Sequence, residues 1–484
     1  MWFNGEERLY LHKVIKDNEI QFREIPNIPR YGERLEDIGM FKRKDLRKAE
    51  NLKPTFRAIR NYLAANAIGI TRDEVFASQL INLIFCKIYD ERFTKPDDTV
   101  KFRAGVNESE EDIYNRILTL FDRVKHQYND VIEVSDSILL DSRSVKYIVG
   151  ELQLYSLKDS SRDAVGDAFE IFIGPSLKGA QGQFFTPRNV VNMVIRMIDP
   201  GIDERILDPA CGSGGFLVES LRYVWNKLEE KAADLGWPES EIEAEKQRIA
   251  IKNLRGIDKD SFLSKVAKAY LAILGDGRGG IHCENSLESF HNWSAKTFED
   301  IQPESFDVIV TNPPFGKKLS IDSTEILELY DLGHRWNSVP GGVFEKGALA
   351  DKQPPQLLFI ERCFQMLRPG GRMGIVLLES IFGMPKYQYV VNYIRLQAKI
   401  NAIVTLPEDL FQPHTHAKCC VLICQKYKKN ESYSSCDNYD IFMSDVKWCG
   451  HDSRGNITYS YTSTGEKVVL DEIPLVADRY LEMR

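Results

Sequence analysis

The stretch FDVIVTNPPFGKK, Phe306 to Lys318, runs a β-branched apolar segment into Asn312, Pro313, Pro314 and Phe315. At a strand end, these four residues have the chemistry to hold a planar amine. The exocyclic amine of adenine is a poor nucleophile because its lone pair is delocalised into the ring. Two acceptors aimed at its N–H bonds draw the nitrogen toward tetrahedral geometry and release the lone pair for in-line attack on a sulfonium methyl. The side-chain carbonyl of Asn312 is one such acceptor, and the backbone carbonyl of Pro313 is the other. Consecutive prolines hold that carbonyl in a fixed direction, and neither donates a competing N–H. Phe315 offers a ring face for a base removed from its stack. Catalysis of this kind rests on positioning and electrostatics, with no covalent enzyme intermediate. A Pro-Pro pair that only ends a strand would explain the prolines but not the flanking amide and ring. An adenine in RNA or a glutamine amide poses the same electronic problem, so the four residues alone leave the methyl acceptor open. Lys317 and Lys318 read either as contacts to nucleic-acid phosphates or as a solvated turn.

In an open α/β sheet, ligands bind outside the carboxyl ends of the strands, so the companion residues belong at other strand ends. The segment LDPACGSGGFL, Leu207 to Leu217, ends one strand in a glycine loop containing Asp208, Ala210, Cys211, Gly212, Ser213, Gly214 and Gly215. The glycines permit a tight turn and close approach of a ligand to the backbone. Pro209 stiffens the approach, no Gly-Lys-Ser/Thr follows, and the spacing is not G-x-G-x-x-G, so a phosphate clamp is disfavoured. A second strand ends in GIDKD, whose Asp258 is placed to accept hydrogen bonds from ribose hydroxyls. A third ends in CENSL, where Asn285 could bond an adenine edge or serve as an ordinary turn residue. An adenosine-containing cofactor without a phosphate clamp fits S-adenosylmethionine better than NAD or ATP.

The elements that must carry these residues follow from periodicity. From Pro54 the spacing of Phe56, Ile59 and Leu63, then Val75, Leu80, Leu83, Ile84 and Ile88, is helical, and Ser109 with the acids after it reads as an N-cap and first turn. After residue 165 the texture becomes short β-branched runs alternating with helical segments, the pattern of a parallel α/β sheet. Seven strands are expected, in RILDPA, LRGIDKD, GIHCENSL, FDVIVTN, RMGIVLLES, INAIVTLP and KCCVLICQKY. The expected organisation is an N-terminal extension at 1–50, an all-helical domain at 51–165, a doubly wound Rossmann-like domain at 166–430, and a polar C-terminal tail at 431–484. Lys227 to Lys252 reads as exposed helix. Lys318 to Lys352, with little regular pattern, reads as a long irregular loop of the kind that often contacts substrate. The basic run FKRKDLRKAENLK reads as a linker or solvated face, or else as an arm that meets DNA.

Composition excludes other classes. At 484 residues, 43% hydrophobic and 28% charged, the chain is long enough for two or three cores. No run approaches ~18 uninterrupted apolar residues, and the N-terminus lacks a signal-peptide layout, so a cytoplasmic protein with no membrane contact is expected. Nine cysteines without a spacing framework suit reduced thiols. No metal is expected from His414, His416, Cys419, Cys420 and Cys424, because adjacent residues in a strand point to opposite faces. The net charge of −8 disfavours a free-standing nucleic-acid binder.

Taken in order, QFFTP, LDPACGSGGFL, GIDKD, NPPF and LRPGGRMGIVLLES resemble the N6-adenine DNA methyltransferases, most closely the modification subunit of type I restriction-modification systems. The resemblance covers roughly residues 51 to 430. It implies that Gln183, Phe184, Phe185, Thr186, Pro187 and Arg188 line the S-adenosylmethionine pocket with the glycine loop, Asp208 and Asp258. It further implies that Asn312 to Phe315 hold the target adenine, that the sheet is mixed with its last strand antiparallel, and that the fold is a seven-stranded methyltransferase domain. The implied partners are double-stranded DNA, a separate specificity subunit and a restriction subunit. The short stretch after Tyr427 leaves no room for a full target-recognition domain, which fits reliance on that partner. A non-catalytic assembly or DNA-clamping subunit is the reading from a different class.

Overall fold

A computed structural model describes residues 2–3, 8–9, 11–16, 19–24, 40–70, 72–160, 186–275, 280–316, 319–340, 343–412, 415–433, 439–462 and 465–483. The chain divides into two compact units, Met1–Lys178 and Gly179–Arg484.

In the first unit, four helices form where the apolar spacing requires them: α1 (Lys53–Asn66), α2 (Asp73–Phe93), α3 (Glu110–Gln127) and α4 (Ser142–Leu152). Phe56, Ile59 and Leu63 make the buried stripe of α1. Ser109 caps α3, its Oγ accepting the N–H of Asp112 at 3.1 Å while the Asp112 carboxylate accepts the Ser109 N–H. The described residues of 51–165 are helical as expected, except that Tyr155–Ser156 pairs in parallel with Arg47–Lys48, and in the stretch before them an antiparallel hairpin joins Leu11–Lys16 to Glu19–Glu24. Buried Phe41 and Ala49 belong to the same unit, so its boundary does not fall at residue 51. Strands two residues long leave no periodic signature to read.

The second unit is built on one mixed sheet. Its strands are β1 (Ile206–Asp208), β2 (Leu254–Asp258), β3 (Ile281–Cys283), β4 (Phe306–Thr311), β7 (Leu367–Leu378), β8 (Ala398–Thr405), β9 (Cys419–Lys426) and β10 (Phe442–Asp445). A separate hairpin supplies β5 (His334–Val339) and β6 (Val343–Leu349). The order across the sheet is β10-β8-β9-β7-β4-β1-β2-β3. Strands β3, β2, β1, β4 and β7 are mutually parallel, and β9 lies antiparallel between β7 and β8. The helices between these strands are α6 (Gly215–Leu235), α7 (Glu239–Lys252), α8 (Ser261–Gly275), α9 (Pro355–Met366) and α10 (Gln388–Gln397). α5 (Arg188–Ile198) precedes β1.

All seven expected strands are present, and β10 adds an eighth by pairing in parallel with β8. The boundary at 430 therefore passes through a sheet, and the stretch read as a tail is structural. Helix α11 (Ile473–Met483), from the same stretch, packs on α5, with Arg196 paired to Asp478 and Asn189 Nδ2 donating to Asp471 at 2.9 Å. β10 has one exposed face and only four residues, so it shows no apolar run. The irregular loop expected at 318–352 is instead a hairpin tied at its base, where Ile321 and Gln353 exchange backbone hydrogen bonds of 2.8 and 2.9 Å. Its Trp336 stacks on Tyr389 at 6.1 Å.

α5 lies directly on the sheet because β7 has a glycine beneath it. A Cβ at Gly374 would stand 2.6 Å from Val194 Cγ1 and 3.2 Å from Ile198 Cγ1. Gly374→Ala is expected to lower unfolding free energy by about 1–3 kcal/mol through overpacking. A guanidinium titration measures this, and an unchanged midpoint would mean that the contact yields without cost.

Candidate active site

β1 is wholly buried and ends in Asp208; the chain then turns through the glycine loop into α6. Gly212 and Gly214 adopt φ of +53° and +87°, left-handed values that side chains resist. Cys211 N–H donates to Ile257 O on β2 at 2.9 Å, and Gly214 N–H closes the turn on Cys211 O at 2.8 Å. The backbone, not a side chain, thus shapes this cradle. Ser213 is buried, and Cys211 is buried with its thiol pushed well up by loss of water, which makes it a packing residue and not a nucleophile.

Two carboxylates face this loop. Asp258 at the end of β2 accepts Gly212 N–H through Oδ2 and Asp260 N–H through Oδ1, each at 2.9 Å. Each oxygen keeps a second lone pair for a ligand hydroxyl. Asp208 is inaccessible, and Ala210 N–H donates to it at 3.0 Å. Burial raises its carboxyl to about 7; the Thr311 hydroxyl and the Ala210 N–H oppose the rise, and the charge of Asp258 adds to it. Burial raises Asp258 as well. Asp258, the half-buried carboxylate beside this loop, disfavours a diphosphate there and suits a ligand with hydroxyls to donate.

The polar end of β4 comes next. Thr186, just before α5, accepts a hydrogen bond from Asn312 Nδ2 at 2.9 Å. One residue of the 183–188 segment is therefore joined to the Asn-Pro-Pro-Phe corner. Pro187 precedes the first turn of α5, and exposed Arg188 lies 3.8 Å from Glu219 of α6. Gln183, Phe184 and Phe185 lie outside the described residues. Asn312 and Pro314 are partly exposed, whereas Pro313 and Phe315 are buried. The Phe315 ring packs edge-on against Phe411 at 5.6 Å. Phe411 was missed in sequence; its signal was the LPEDLF turn after β8.

Asn285 follows β3, but its side chain is engaged within its own turn. Its Oδ1 accepts Leu287 N–H and its Nδ2 donates to Glu288, both at 3.2 Å. That turn is held by Arg362 of α9, which sequence reasoning also missed. Its guanidinium donates to Glu288 O at 2.6 Å and to Tyr330 Oη at 2.8 Å, and it lies over the Phe290 ring at 4.3 Å. Tyr330 in turn donates to Leu287 O at 2.8 Å. The available signal was a Glu-Arg pair inside the otherwise apolar run QLLFIERCF.

Residues 160–456, more than half of the chain, match the family model described as N-6 DNA Methylase. The chain belongs to the N-6 DNA methylase family. It is 24% identical over 352 residues to the type I restriction enzyme EcoEI methylase subunit of Escherichia coli, covering 68% of this chain and 63% of that protein. The MjaVII methylase subunit of Methanocaldococcus jannaschii is 27% identical over 363 residues, covering 73% and 56%. The chain thus matches less than two thirds of the length of these relatives. Among solved structures, a type I restriction-modification methyltransferase subunit from Streptococcus thermophilus superposes with a TM-score of 0.56 at 15% identity, covering 90% of this chain and 93% of that one. The fold is the Rossmann-like methyltransferase fold that the motif order implied.

The raised carboxyl of Asp208 makes stability pH-dependent. Between its ordinary value of 3.8 and about 7, the native state keeps a proton that the unfolded chain releases. Stability should therefore fall as pH rises through that window, by roughly 1.4 kcal/mol per pH unit for one proton, and level off above it. Asp208→Asn is expected to flatten this slope in urea titrations between pH 5 and 8; an unchanged slope would show that another group carries it.

Proposed function

We propose that the chain transfers a methyl group from S-adenosylmethionine to the N6 amine of adenine in double-stranded DNA, as the modification subunit of a type I-like restriction-modification complex. A separate specificity subunit would supply the target sequence, and a restriction subunit would complete the assembly. The observation that carries this reading is the Asn312 amide, held by Thr186 beside two prolines at the carboxyl end of β4, in a chain of the N-6 DNA methylase family.

The glycine loop and the two carboxylates fit this cofactor by their chemistry. Asp258 would accept from the ribose hydroxyls, Gly212 to Gly215 would let the backbone approach, and the acidic lining would favour the positive charge. S-adenosylmethionine, when bound, supplies an electrophilic methyl on sulfonium. Asn312 Oδ1 and Pro313 O would accept the two N–H bonds of the adenine amine and localise its lone pair on nitrogen. That pair would form the new N–C bond while the electrons of the C–S bond leave with the thioether sulfur, and the proton lost from nitrogen would pass to solvent. With its ring packed on Phe411, Phe315 walls the same corner, so a flipped base would meet this aromatic pair.

Transfer of labelled methyl to DNA, with nucleoside digestion, tests the reading. N6-methyladenine should form and depend on the specificity subunit, and Asn312→Ala should lower turnover by about 10²–10³, the range for one lost polar stabiliser. Label retained in DNA by that variant, or found only in RNA or glutamine, would overturn the assignment. Asp258→Ala should weaken S-adenosylmethionine binding by about tenfold to a hundredfold in calorimetry, as for loss of a charged acceptor.

A further inference from the structure

The parallel ladder between β4 and β7 stops with Thr311 opposite Ile375. On the other edge of β7, Glu379 N–H donates to Lys418 O at 3.0 Å, next to β9. Peptide groups alternate sides along a strand, so the N–H of Leu378 faces β4. Continued in register, the pattern would bring that N–H to the carbonyl of Pro313. It goes elsewhere: Leu378 N–H donates to Oε1 of Gln356 at 3.3 Å.

Gln356 is the second residue of α9, a helix that starts at the carboxyl edge of the sheet and returns to the opposite edge, where Leu367 pairs with Phe306. Its first turn therefore lies at the same edge as Asn312. The side chain is buried, and its Nε2 has no partner among the described residues. A buried amide that strands its own donor is a poor choice for packing alone.

We propose that Gln356 is a positioning residue for methyl transfer: by occupying the Leu378 N–H, it keeps the Pro313 carbonyl out of the sheet and available to the substrate amine. This rests on the reading of Pro313 as an acceptor. Without Gln356, the ladder gains one more rung and the amine loses one of its two acceptors.

The test uses the full chain with its specificity subunit and a DNA duplex carrying the target site. Gln356→Leu should lower kcat by about tenfold to a hundredfold, with KM for S-adenosylmethionine and for DNA unchanged and a thermal midpoint no lower than that of the parent. Gln356→Glu, which keeps an acceptor for Leu378 in either protonation state, should retain most of the turnover. The inference is overturned if Gln356→Leu turns over normally while Asn312→Ala is inactive, or if both Gln356 variants lose turnover and thermal midpoint together. If Asn312→Ala is itself active, the acceptor-pair reading fails first and takes this inference with it.

Discussion

β4 pairs with β7 no further than Thr311, Pro313 and Pro314 after it have no N–H to donate, and much of the site is arranged around that interruption. A central strand normally has neighbours for every peptide group. Here a strand flanked by β1 and β7 ends abruptly at the carboxyl edge, leaving polar backbone where a ligand can reach it. The surrounding residues accommodate the break. Thr186 holds the Asn312 amide, Phe411 meets the Phe315 ring, and Gln356 takes the β7 N–H of Leu378.

Thr186 can do this because α5 is fixed at its far end. Arg372 in the middle of β7 donates to Ile198 O and Asp199 O, each at 2.9 Å, and makes a two-pronged pair with Glu204 at 2.7 Å. Asp199 takes a left-handed φ of 57° and ends the helix there. Gly374 then lets the helix sit close on β7. A helix held at its C-terminus and along its length presents its N-terminal residues at a set height above the sheet, which is where Asn312 needs a partner. Arg362 does comparable work on the other flank, linking the turn after β3 to Tyr330.

The glycine-loop side rests on a different balance. Asp208 and Asp258 are held near the glycine loop by backbone N–H groups, yet burial and mutual repulsion push Asp208 to about 7. Such a pair is expensive for the fold.

What the sequence determined by itself was everything with a short-range signature. Apolar runs marked all seven expected strands, 3.6-residue spacing marked α1 to α3, and glycines at 212 and 214 marked a turn that only they adopt easily. The order of the motifs identified the family. It could not reveal β10, whose four residues alternate exposed and half-buried, nor the hairpin at 334–349, whose pairing is antiparallel between largely exposed strands. Nor could it say that Asn285 would turn its amide back on Leu287 and Glu288. Tertiary structure alone brought Thr186 to Asn312, 126 positions apart, and Gln356 to Leu378. Hydrogen bonds between distant side chains depend on how helices seat on the sheet, and no local pattern of residue types encodes that distance.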